Sequence, residues 1–226
     1  MSLMGTLGKV AMGIIVAKGV GKMLGGSSSG GGSSSGGGLG GLLGGLTGGN
    51  SKGGSGGLGD LLGGLSGKSG GGGLGGILDS LGGGSQGNNS LGSKLNDALQ
   101  GSNVSADSAE EQQAKIMLRA IINAAKSDGH IDEDEQRKIT EHLSDATAEE
   151  VEFVRNELNA PLDAEGFIND VPRGMEEQVY FMSLVAINLD SNEEAHYLDQ
   201  LAKGLNISHE TCNQIHEKLG APALYA

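Results

Sequence analysis

Tryptophan is absent from the 226 residues, and there are only one cysteine, three prolines, three tyrosines and three phenylalanines. A single thiol, Cys212, excludes an internal disulfide and a four-cysteine zinc site. No long uncharged apolar run is present. In residues 1–26, Lys9, Lys18 and Lys22 leave no run without a charged side chain longer than that of Val10–Ala17, well short of the roughly 20 residues a spanning helix needs. The same stretch lacks an apolar core after a basic start and a small-x-small cleavage site, which speaks against a secretory leader. No G-x-x-x-x-G-K-[ST] run exists to cradle a phosphate. Glycine abounds without an every-third-residue frame or nearby proline, so collagen is excluded.

What is present divides the chain in two. Residues 1–101 hold 39 of the 44 glycines, no histidine and no aromatic residue, and carry a net charge of +3. Residues 102–226 hold every histidine, aromatic and proline, and carry −16. So acidic a half repels nucleic-acid phosphates, and three spread positive charges make no compensating patch. A nucleic-acid partner is disfavoured. Glycine- and serine-rich chain buries too little apolar surface to offset backbone ordering, so the first half is expected to be largely disordered. The second half is long enough for its own core.

Three segments follow. Residues 1–26 form an apolar leader in which Gly13, Ala17, Gly21 and Gly25 recur every fourth residue. In lipid such a face lets helices approach closely, so membrane contact or self-association is expected, with lysines snorkelling to the surface. Residues 27–104 are low in complexity and contain a repeated cassette. Leu39, Leu42, Leu43 and Leu46 have the spacing i, i+3, i+4, i+7, which Leu58–Leu65 and Leu74–Leu81 repeat. Leu91, Leu95, Ala98 and Leu99 form a weakened fourth copy. Each cassette puts its apolar side chains on one helical face. Each is also too short and glycine-rich to be helical alone, and should fold only against a bilayer, another copy or a partner groove.

Residues 105–226 read as all-helical, about seven helices with no strand-like alternation. Ser108–Glu111, Thr147–Glu150 and Ser191–Glu194 have capping-box spacing. Asp163 and Ser208 suit N-caps, and Pro161 and Pro172 stop helices. The half also repeats itself. An apolar helix reaches Asp128, and Glu135 follows one turn before Ile139; a second reaches Asp190, and Glu194 follows one turn before Leu198. Asp128 to Glu135 resembles the second half of an EF-hand loop, but Ala124 and Lys126 stand where its first carboxylates belong. A composite site is the alternative: Asp128, Glu135, Asp190 and Glu194 around a hard divalent cation, Ca²⁺, Mg²⁺ or Mn²⁺. Acidic residues at helix starts are equally what caps and the helix dipole favour, without an ion. His209, Cys212 and His216 share one side of the last helix; they suit zinc or Cys–His chemistry, or a buried thiol with surface imidazoles.

The runs AKSDGHIDEDE (125–135), LNAPL (158–162) and AINLDSNEEAHYLDQLA (186–202) resemble the TerB-like tellurite-resistance family, more narrowly its YebE-like bacterial inner-membrane subgroup of unknown function. The resemblance covers roughly residues 108–221. It implies a compact all-helical domain with an acidic, metal-binding face at Asp128, Glu135, Asp190 and Glu194, and a Gly/Leu-rich N-terminal half. The resulting expectation is a non-enzymatic protein at the inner membrane, its acidic domain on the cytoplasmic side. It would bind a divalent cation or a basic partner protein as a stress-linked adaptor. The competing expectation is a soluble cytoplasmic interaction scaffold whose acidic turns are only helix caps.

Overall fold

The computed structural model describes residues 2–18, 74–82, 90–100, 102, 104–129, 131 and 133–225. Among them are ten helices and no strand. Three precede the acidic half: α1 (Leu3–Lys18), α2 (Leu74–Leu81) and α3 (Leu91–Leu99). Seven lie within it: α4 (Ser108–Ala125), α5 (Glu133–Glu141), α6 (Ala148–Asn159), α7 (Ala164–Asp170), α8 (Glu176–Val185), α9 (Asn192–Gly204) and α10 (His209–Leu219).

Local chemistry explains most of the boundaries. Thr147 and Ser191 each accept from the N–H three residues on, while Glu150 and Glu194 return the bond to the cap. Asp163 and Ser208 cap α7 and α10. The cap of α4 falls one residue earlier than the Ser108 box expected from the sequence: Asp107 accepts from Ala109 and Glu110, and Glu110 closes the box. A carboxylate receiving two N–H groups at the positive end of the helix outcompetes the neighbouring hydroxyl.

The central packing is less local. Helix α1 is apolar on nearly every side rather than along one stripe, a pattern that suits either lipid or the middle of a core. In this structure its surroundings are protein: α1 packs against α3, α4 and α5, and Met4, Leu7, Val10 and Ile14 have no solvent exposure. A Cβ added at Gly13 would lie 2.9 Å from the Ile139 Cα, so this glycine lets α1 and α5 touch backbone to backbone. Polar ties finish the seat. Ser2 Oγ donates to the Val104 carbonyl at 2.6 Å, and the Leu3 N–H donates to Glu111 at 2.9 Å. No described helix is long and apolar enough to cross a membrane.

The third and fourth cassettes are α2 and α3, and the apolar surface that supports them is this chain's own core. Leu78 and Leu95 are buried in the same cluster as the centre of α4 and α8, and Ala98 is buried as well. The two helices cross where Gly75 and Gly92 meet, each backbone occupying the space a Cβ on the other would need. Asp79 fastens the crossing through the Ser90 hydroxyl and the Gly92 N–H, at 2.5 and 2.7 Å. The first two cassettes, and Gly21 and Gly25 of the leader, lie outside the described residues. Helix α8 packs on α4, and α9 and α10 pack on α8.

Candidate functional site

The two acidic turns have different interiors. After α8 the chain turns through Ala186–Ser191, and Leu189 adopts a φ of +53°, a left-handed conformation that a leucine rarely takes. Glu194, in the first turn of α9, holds it there. Its carboxylate accepts from the N–H groups on both sides of Leu189, Asn188 at 3.4 Å and Asp190 at 3.0 Å, and from Ser191 at 3.3 Å. The side chain is only 6% exposed. Three N–H donors offset the desolvation of a buried carboxylate. Asp190 itself is exposed at the rim of the turn.

In the turn after α4, the inward group has the opposite charge. Lys126 is 4% exposed, and its ammonium donates to the carbonyls of Glu157 and Ala160 at 2.8 and 2.9 Å. Those carbonyls sit at the end of α6, where Pro161 follows and supplies no N–H. Burial, the foremost cause, pushes the Lys126 pKa below its ordinary value; Glu157 opposes that shift and Arg119 adds to it. Arg119, seven residues earlier on α4, reaches Asp170 at 2.7 Å and Glu157 at 3.6 Å. Asp128 is exposed, Gly129 takes a φ of +144°, and Glu135 is half-buried in the first turn of α5.

All four expected metal ligands are therefore on described residues. Among the described residues, no group of three or more His, Cys, Asp or Glu side chains converges to hold a metal ion. Sequence reasoning missed Lys126, which it considered only as a failed EF-hand position. The available signal was the Asn159-Ala160-Pro161 helix end, whose carbonyls need a donor.

Cys212, Tyr180 and His216 form a third polar cluster, all without solvent exposure. His216 was expected at the surface and is buried instead, between α8 and the segment after α10. Its Nδ1 lies 2.5 Å from the Pro222 carbonyl, an acceptor, so Nδ1 carries the proton. Nε2 then accepts from the Tyr180 hydroxyl at 2.9 Å. Burial lowers the His216 pKa, opposed by the Pro222 bond, and burial chiefly raises those of Cys212 and Tyr180. Neutral groups result. Both His216 nitrogens are committed, and a protonated thiol is a weak nucleophile and metal ligand.

Between α7 and α9 lies an open groove of about 680 Å³ whose wall includes Glu165, His196, Asp199 and Lys203. The Lys203 ammonium, 2.7 Å away, holds the Asp199 carboxyl below its ordinary range; slight burial opposes this, and Tyr225 supports it. Asp199 and Lys203 are both on α9, so this pair runs along one wall of the groove.

Residues 6–219 match a protein family described as being of unknown function, DUF533. The match takes in α1 as well as the acidic helices. Over 112 residues, 48% of this chain, the sequence is 28% identical to an uncharacterized protein in the ampR 5′ region of Yersinia enterocolitica, covering 81% of that protein. No solved structure matches the chain.

Proposed function

The chain belongs to the DUF533 family, whose function is unknown, and on the geometry of its turns we propose a non-enzymatic helical interaction scaffold whose paired acidic turns act as helix caps. The observation that supports this reading is the Glu194 carboxylate, buried and engaged by three backbone N–H groups of its own turn. Oxygens used in this way stiffen the bend and set the start of α9. The strongly acidic exterior is then the working surface, complementary to a basic partner protein and repelled by nucleic acid. The finer resemblance to TerB-like and YebE-like proteins supports a helical adaptor of this kind and brings no reaction with it.

A second reading has one observation in its favour. Helix α1 is apolar on nearly all sides, which suits lipid as well as a core. On that reading the protein associates with the inner membrane, acidic face toward the cytoplasm, and binds Ca²⁺, Mg²⁺ or Mn²⁺ at Asp128, Glu135, Asp190 and Glu194. It requires α1 to leave its seat beside α3, α4 and α5, and Glu194 to release its turn.

Calorimetric titration of the intact chain with each cation, and co-sedimentation of the same sample with anionic vesicles, separate the two readings. The scaffold reading expects no saturable heat and no pelleting. Saturable heat that Glu194→Gln abolishes would replace it with the cation reading.

A further inference from the structure

Residues 221–225, after α10, are not helical, yet side chains of α9 and α10 grip them at four places. His216 Nδ1 donates to the Pro222 carbonyl. Asn213 takes both backbone groups of Tyr225: its Nδ2 donates to the carbonyl at 2.9 Å, and its Oδ1 accepts from the N–H at 3.2 Å. The Tyr225 ring stacks on His209 with centroids 3.8 Å apart and planes within 3°. Its hydroxyl donates to Asp199 at 3.0 Å.

An amide that takes both the N–H and the carbonyl of one residue, beside an aromatic platform and an acceptor for a phenol, has the parts of a peptide-recognition surface. Main-chain bonds give affinity, and the ring and acceptor give specificity. None of residues 221–225 is fully buried, whereas His216, Cys212 and Tyr180 beneath them have no exposure. The gripped segment is thus a layer laid onto a finished core, of the kind that opens locally without global unfolding.

We propose that Asp199, His209, Asn213 and His216 form a peptide-binding surface for an extended segment with tyrosine three positions after proline. Residues 222–225 occupy it in cis, and a partner protein carrying such a segment takes their place. The proposal does not depend on what the acidic turns bind.

The test uses the full chain with Tyr225→Ala and a terminally blocked peptide, Ala-Pro-Ala-Leu-Tyr-Ala, titrated while the imidazole NMR signals of His209 and His216 are followed. The variant shows saturable shifts. The parent binds at least about tenfold more weakly, because its surface is already filled, and adding Asn213→Ala to the variant erases binding. No saturable shift in a variant whose circular dichroism matches the parent overturns the proposal. So does equal binding by parent and variant, or binding that survives Asn213→Ala. Tyr225→Phe, which keeps the ring and loses only the phenol bond, is the second variant. It takes up the tyrosine peptide more tightly than the parent, and unchanged affinity overturns the proposal.

Discussion

The turns after α4 and after α8 share an outline in sequence, with seven residues from Asp128 to Glu135 and four from Asp190 to Glu194, and are opposites in chemistry. Each brings an apolar helix to an aspartate, and each is followed by a glutamate one turn before an apolar residue. In the α8 copy a carboxylate points inward and its donors are backbone N–H groups of its own turn. In the α4 copy an ammonium points inward and its acceptors are carbonyls of a different helix, α6. The contrast shows that a repeated outline fixes the path of the chain, whereas the chemistry depends on whichever polar groups that path leaves unpaired.

Breaking the α8 copy should cost most. Glu194→Ala leaves three N–H groups of a half-buried turn without their acceptor and releases the constraint on Leu189; we expect a loss of about 3 kcal/mol in urea unfolding, equal in EDTA and in millimolar Ca²⁺ or Mg²⁺. Breaking the α4 copy comes next. Lys126→Met keeps the apolar stem and strands two carbonyls, and should cost about 2 kcal/mol, with early amide exchange at the end of α6 by mass spectrometry. An effect of Lys126→Met larger than that of Glu194→Ala would reverse the ranking.

His216 lies outside both turns and sharpens the comparison through pH. Its pKa is lowered in the folded protein, so as pH falls below about 6.5 the unfolded chain takes up the proton first. Stability then declines by up to about 1.4 kcal/mol per pH unit until the folded-state pKa is reached, and levels off below it. Unfolding free energies between pH 7.5 and 5 should show this slope, and His216→Gln should flatten it. The smallest effects belong to the exposed partners. Asp128→Ala and Asp190→Ala should each change stability by less than about 0.5 kcal/mol, with or without divalent cation.

Four of the seven helices of the acidic half were legible because their start signals are local: Thr147 with Glu150, Ser191 with Glu194, and the single caps Asp163 and Ser208 all act within three residues. The cassette spacing likewise foretold α2 and α3 and their buried Leu78 and Leu95. Partners remote in sequence were not legible. Lys126 meets carbonyls at positions 157 and 160, and His216 meets Tyr180, 36 residues away. The apolarity of α1 could be read, but lipid and a protein core ask the same of a helix, so its seat against Ile139 and Ala98 could not. At the candidate site the sequence pointed to both turns; which oxygens face inward after α8 depends on a left-handed Leu189 that no local rule predicts.

The central claim is that Glu194 clamps its own turn. The most direct measurement is thermal unfolding of the parent and Glu194→Gln, each in EDTA and in saturating Ca²⁺, Mg²⁺ or Mn²⁺. The account predicts the same drop in Tm for the variant under every condition and no rise in the parent's Tm on adding the ion. A parent that gains stability with a cation, in a way Glu194→Gln does not share, would contradict it.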